Sequence, residues 1–343
     1  EEPFVPTGAY IPTGFTEVAK ATSTTGYTVK DSSQNEYVWI EVPRNSTVYD
    51  EVGTDLDLDS LSETDLKTTL DEIETELQEY AEAYRSQYAD HEDAWSSTEA
   101  TGIADEDTYN DLKYTMLKSV YENEGFYIGK YEAGITNTYR DYENDYETEH
   151  PIEETAVVRA NAYPYNWVRS SQAQQLATNM QAGEYTSSLM FGIQWDLVLK
   201  YLENKGVSQE TLKGSTTGNT NWGNYKNNTY NITNTNAKYS VLDLDTYLIS
   251  EWLPATSYTH NVDDNTLLTT GADSSFGKMG IYDLAGNVME WTLECSYFRG
   301  QVYCVPRGGS FVDAGNSSAV FRSDAYTNSG YTDWGLGFRN TIF

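Results

Sequence analysis

The stretch GIYDLAGNVMEW, Gly280 to Trp291, reads as a strand running into a turn, but Asp283, Asn287 and Glu290 interrupt its apolar residues. A half-buried strand favours apolar and β-branched side chains, so carboxylates placed among them need partners. One such partner is a hard cation, which takes six to eight oxygens from carboxylates and backbone carbonyls. The alternative is a capped turn in which Asp283 and Glu290 accept backbone amides.

Immediately downstream, LECSYFRGQVYC (293–304) contains the two cysteines of the chain, Cys295 and Cys304. With Arg299-Gly300 as a two-residue loop, the pairs are 298/301, 297/302, 296/303 and 295/304; glycine at the second loop position suits a primed turn. Pairs alternate along such a ladder, which puts 295/304 at a non-hydrogen-bonded site, where α-carbons approach within disulfide range. The expectation is a Cys295–Cys304 disulfide and an extracytoplasmic setting; two free thiols in a reducing compartment are the alternative.

Upstream, EYVWIEVP (36–43) alternates as a strand, and FYIGKYEAGI (126–135) reads as another. Between them lies an acidic insertion. From Ser62, a stripe of Leu66, Leu70, Ile73, Leu77, Tyr80 and Tyr84 predicts a helix capped by Ser62 and Asp65. The stripe is expected to pack on its own domain; fewer than three full heptads make a weak coiled coil. A second helix is expected over 107–122, with Leu112, Met116, Leu117 and Val120 inward. Further helices are expected over 170–180 and 191–206, the latter ending at Gly206. Residues 136–165 read as a tyrosine-rich acidic loop, and 214–240 as a long Asn- and Thr-rich irregular region. The alternation of Asp55, Asp57 and Asp59 lacks the Gly and terminal Glu of a calcium loop and reads as a solvated turn.

The whole chain has 343 residues, with 53 acidic against 21 basic ones and a formal charge of −32. That balance argues against nucleic acid and anionic membranes, which need clustered cations. No apolar run is long enough to span a bilayer. The 29 tyrosines, with many Asn, Thr, Ser and Gly, suit turns and adaptable binding surfaces. The three histidines, His91, His150 and His260, lie far apart and are expected at the surface. There is no H-E-x-x-H, no G-x-S-x-G, no phosphate loop and no dinucleotide fingerprint. No spacing singles out a pair of acids for glycoside hydrolysis.

The ordered series GKMGIYDLAGNVMEWTLE, VPRGGSF, VFRSDA and GLGFR resembles the formylglycine-generating-enzyme-like (sulfatase-modifying factor) family. The resemblance implies an α+β chain: a variant of the C-type lectin fold with a helical insertion and much irregular structure. It covers about 11–48 and 124–343. The expected organisation is N-terminal strands of the lectin-type domain over 1–48, the acidic helical insertion over 49–123, and the rest of the domain over 124–343. By position, the family's calcium ligands fall on the Asp283 side chain, the Gly286 and Val288 carbonyls and the Glu290 carboxylate, so calcium is the expected cofactor.

The same likeness argues against the family's oxidase chemistry. The two cysteines that follow the R-G-G-S motif in the oxidases correspond here to Asp313 and Ser318, and the histidine cluster of the iron-dependent sulfoxide synthases has no counterpart. The expectation is therefore no enzyme but a binding protein. Residues 311–334 fall where lectin-type folds present an exposed face, and the chain given stops four residues after Gly-Phe-Arg. That placement resembles the variable proteins of diversity-generating retroelements, which display a hypervariable C-terminal ligand site. Adenine-directed mutagenesis of Asn codons never yields Gln, Lys, Glu, Met or Trp, and residues 311–333 contain none of them.

The expected ligand site comprises Phe311, Asp313, Asn316, Tyr326, Asn328, Tyr331, Asp333 and Trp334, with Phe311 and Trp334 alternatively in the core. Its partner would be a protein or glycan on another cell or virus surface, and the protein itself extracellular or on a cell or virion surface. Self-assembly or anchoring would use the N-terminal region. Two other readings stay open: an enzyme of the same superfamily with an unrecognised centre, and a pilin-like or virion assembly subunit.

Overall fold

The strand Glu36–Glu41 does not alternate as expected: its four central residues, Tyr37 to Ile40, are all buried, as suits an inner strand covered on both faces, and it bonds Thr28–Lys30 on one side and Gly125–Gly129 on the other. In the computed structural model these belong to a six-stranded sheet ordered Thr16–Ala19, Thr28–Lys30, Glu36–Glu41, Gly125–Gly129, Asn340–Ile342 and Ser187–Leu189. The strand Asn340–Ile342 thus inserts between two others, antiparallel to both. The structure describes residues 2–86, 88, 90–142, 145–214, 220–298, 301–323 and 330–343.

A second sheet is built on the long strand Met289–Phe298, which pairs antiparallel with Gln301–Arg307 and His91–Glu92 and parallel with Leu336–Phe338. A third, four-stranded sheet centres on Lys238–Asp243. Six α-helices are present among the described residues: α1 (Glu63–Tyr80), α2 (Thr98–Thr101), α3 (Glu106–Asn123), α4 (Ser170–Asn179), α5 (Gly192–Asn204) and α6 (Gln209–Lys213). The chain is therefore mixed α+β, with eighteen mostly short strands against these six α-helices among the described residues. None of these helices is long and apolar enough to cross a membrane.

The helical expectations rest on short-range chemistry and hold in outline, although α1 stops at Tyr80, leaving Tyr84 in a separate short helical turn, and Leu112 of α3 is only half-buried. Ser62 caps α1, accepting from Asp65 N at 3.2 Å and donating to the Asp65 carboxylate at 2.7 Å. Leu70, Ile73 and Leu77 of its stripe are buried, as are Met116, Leu117 and Val120 of α3. Gly206 takes φ +92° just after α5, where a Cβ would be strained. The single strand expected over 126–135 is instead two, Gly125–Gly129 and Gly134–Ile135. The turn at Asp59 is partly tied down, since Asp59 pairs with Lys118 of α3.

Residues of the segment 49–123, expected to be an insertion, share one hydrophobic core with Ile40, Phe126, Phe191 and Trp291. Its strand His91–Glu92 extends the second sheet, Tyr109 donates to Leu293 O at 2.8 Å, and Asp93 accepts both amides that open α5, Gly192 N at 2.6 Å and Ile193 N at 2.9 Å. An acceptor at a helix start satisfies donors that have no partner within the helix.

The histidines are a correction. His260, His150 and His91 are all buried. His260 lies between Asn228 O and Asp264 O, 2.7 Å from each, and stacks on Tyr230. His150 stacks on Tyr142 at 3.7 Å. The acidic loops around His150 and His260 gave no sign of these stacks, because no regular spacing links either histidine to its tyrosine.

Candidate functional site

The turn at Gly280–Trp291 owes its shape to four left-handed residues, Gly280 (φ +80°), Asp283 (φ +60°), Gly286 (φ +73°) and Asn287 (φ +63°). Asp and Asn tolerate that conformation better than other side chains, and glycine adopts it freely. At Gly286 only glycine fits, because a Cβ would stand 2.2 Å from Asn224 O. Asn287 holds the turn closed. Its Oδ1 accepts from Leu268 N at 3.0 Å and Asn224 Nδ2 at 2.8 Å, while its Nδ2 donates to Leu268 O at 3.1 Å and to Glu132. The sequence reading noticed Asn287 but gave it no role.

The carboxylates of the turn find protein partners. Glu290 is clamped by Arg339, whose Nε and Nη2 donate to Oε2 at 2.9 Å and Oε1 at 2.6 Å. Arg339 is itself fully buried and also donates to Gly129 O and Tyr282 O. Asp283 Oδ2 accepts from Gly271 N at 2.6 Å. Nearby Glu132 has one oxygen on Asn287 and the other without a hydrogen-bond partner. Burial raises all three carboxyls, Asp283 to about 7 and Glu132 well above the usual range, the latter pushed further by Asp283 and Glu290.

As arranged, Glu290 would have to give up Arg339 to ligate a calcium ion. Both Glu290 oxygens already serve a guanidinium, which would repel a cation at the same place. Among the described residues no group of three or more His, Cys, Asp or Glu is placed to hold a metal ion. The turn is closer to the capped alternative, with Asp283 on an amide and Glu290 on an arginine.

A second charged centre lies along the same strand. Arg307 donates to Glu294 Oε2 at 3.0 Å and Asp196 Oδ1 at 2.8 Å; Arg322 donates to Glu294 Oε1 at 2.8 Å and Asp196 Oδ2 at 2.6 Å. Arg85 of the insertion adds a bond to Asp196 at 2.8 Å. The four central side chains are wholly enclosed. Arg307 lies in VPRGGSF and Arg322 in VFRSDA, and neither motif by itself names a partner for its arginine. The available signal was an isolated acid among apolar residues, Asp196 in FGIQWDLVL and Glu294 in MEWTLEC.

The expected ligand segment divides. Phe311 is fully buried and Trp334 nearly so, their rings 5.5 Å apart, and both join Trp167 and Trp252 in one cluster. These two belong to the core. Asp333 is also buried; its Oδ1 accepts from Gly335 N at 2.7 Å, and burial pushes its carboxyl up to about 7. Asp313 is half-buried and folds back on Ser310, accepting its N–H and its hydroxyl at 2.8 Å each. Asn316 is exposed. Tyr331 is half-buried and stacks on Tyr146 at 5.9 Å, and Tyr146 stacks on Trp167 at 5.6 Å. Tyr326 and Asn328 lie outside the described residues. Ser318 is fully buried, with no hydrogen-bond partner for its hydroxyl.

The hairpin register is as counted, with Cys295 opposite Cys304 and Phe298 opposite Gln301. The disulfide expected from that register is not formed, and both cysteines are free and buried. Cys304 Sγ sits 3.3 Å from Ser170 Oγ and 3.6 Å from Ala100 O, so its polar contacts are with α4 and α2. Burial pushes Cys304 up to about 11 and Cys295 to about 12.

Compared with models of known protein families the chain matches none, and no curated protein matches it in sequence.

Proposed function

We propose that this chain is a non-enzymatic ligand-binding protein, displayed at a cell or virion surface, with a formylglycine-generating-enzyme-like variant of the C-type lectin fold. The observation that carries the reading is the three-ring stack Trp167–Tyr146–Tyr331, which holds Tyr331 half-exposed at the end of the 311–334 segment. A stacked aromatic side chain loses little rotamer freedom on binding, which is why such residues anchor protein and glycan ligands. Exposed Asn316 adds a polar contact on the same segment.

The positions that hold thiols in the oxidases support the same reading. Asp313 is engaged with Ser310, and Ser318 is enclosed, so neither offers a reactive nucleophile to a substrate. A protein or glycan ligand suits the aromatic and short polar composition of the segment.

A glycan array and a surface-protein library supply the ligand, after which Tyr331→Ala is expected to weaken binding by about 1 kcal/mol or more. Unchanged binding, or oxidation of a cysteine-containing peptide by the protein, would overturn the reading. Sequencing the locus across isolates tests hypervariability: changes concentrated in 311–334 support the retroelement relationship, and evenly spread changes remove it.

A further inference from the structure

A groove of about 530 Å³ runs between the insertion and α4, away from the turn and from the 311–334 segment. Its volume falls in the range of small-ligand sites, roughly 300–1,000 Å³. Two contacts fix the walls at one end. Ser170 donates to Ala100 O at 2.6 Å, and Gly102 lies so close to α4 that a Cβ there would be 2.7 Å from Ser171 O. Beyond that point the walls part, with Ile103 and Leu112 on one side and the face of α4 on the other.

Gln174 sits in this groove and is about 95% enclosed, with 5% of its surface exposed. Its Oε1 is held by Leu189 N at 2.9 Å and Ser188 Oγ at 3.1 Å, which fixes the orientation of the amide. Among the described residues nothing accepts from its Nε2. With its oxygen so held, Nε2 opens onto the groove, where a ligand oxygen can take the place of water as its acceptor. Gln175, Thr178 and Asn179 line the rim from the same helix and are exposed. Each can donate and accept.

Charge narrows the ligand. Glu149 is the only ionisable side chain among the described lining residues, and Arg169 pairs with it at 3.1 Å. The groove therefore offers no cation to an anionic ligand and no unpaired anion to a cationic one. The overall charge of −32 disfavours anions further. What fits is a neutral molecule that presents both donors and acceptors to amides and hydroxyls and a C–H face to Ile103 and Leu112.

We infer that this groove is a second binding site, for a neutral saccharide unit, with Gln174 Nε2 as the fixed donor to a sugar oxygen. The test uses the full chain and saturation-transfer NMR with glucose, galactose, N-acetylglucosamine and lactose as probes, and inorganic phosphate and spermidine as charged controls. At least one neutral sugar is expected to bind, with a dissociation constant on the order of millimolar. Gln174→Glu removes the donor and should weaken binding about three- to tenfold. Thr178→Arg, on the exposed rim, should obstruct the groove without depending on how well the Gln174 variant folds. Introduced into Tyr331→Ala, Thr178→Arg should cause the same loss as in the unaltered chain, which separates this site from the C-terminal segment. The inference is overturned if no neutral sugar binds, if a charged control binds instead, or if sugar binding to Tyr331→Ala survives the added Thr178→Arg.

Discussion

Arg307 and Arg322 share the same two carboxylates, each donating to both Asp196 and Glu294 in a closed ring of four buried side chains. The ring joins α5, the long strand Met289–Phe298 and the segments that carry the two arginines, so it fixes how the second sheet meets the helices. Removing one member leaves a buried charge uncompensated. Arg322→Ala is therefore expected to cost about 3–5 kcal/mol, measured by denaturant unfolding. A loss under about 1 kcal/mol, the range of exposed pairs, would show that the ring is wet or loosely held.

The ring also sets an acid response. Burial alone would raise Glu294, but Arg322, Arg307 and Arg85 outweigh it and hold the carboxyl at about 2, below its ordinary 4.5. A folded value below the unfolded one gives stability that is present above pH 4.5 and lost as pH falls towards 2. Stability measured across that window should decline less steeply in Glu294→Gln, relative to its own value at neutral pH. An identical slope in both proteins would assign the acid response elsewhere.

Two aromatic substitutions separate core from surface. Phe311→Ala removes a fully buried ring and is expected to destabilise by about 3–5 kcal/mol. Tyr331→Ala removes a half-exposed ring from the end of a stack and should cost about 0.5–1.5 kcal/mol. Thermal unfolding of the two variants checks the order, and equal shifts would place Tyr331 in the core as well.

Both thiols should resist alkylation in the folded protein. They are buried, and burial raises Cys304 to about 11 and Cys295 to about 12, so little thiolate forms near neutral pH. Intact mass after iodoacetamide treatment should show no adduct on native protein and two on denatured protein. No adduct after denaturation would mean that the facing cysteines have oxidised to the disulfide.

Calcium removal tests the clamp on Glu290. With both oxygens on Arg339, chelation is expected to leave the thermal midpoint unchanged. A ligand that binds only the folded state stabilises it in proportion to RT ln(1 + [L]/Kd). A midpoint that rises with calcium would therefore mean that Glu290 gives up Arg339 for the ion.

Short-range pattern was enough for the helices and the hairpin. The cap at Ser62, the stripe through Leu70, Ile73 and Leu77, and the 295/304 register each depend on residues a few positions apart or joined by one turn. So does the backbone at Asp283, Gly286 and Asn287, where side-chain type and the left-handed conformation agree locally. What those residues touch was settled by topology. Glu290 meets Arg339 because Leu336–Phe338 runs parallel beside the strand that carries Glu290, and no spacing rule along the chain encodes that pairing. The same holds for Asp196 with Arg307 and Arg322, for the stacking of His150 and His260, and for the enclosure of Phe311 by Trp167 and Trp252. Composition could say that a carboxylate among apolar residues must have a partner, because desolvating a lone charge is costly. Only the packed sheets decided that the partner is an arginine of this chain.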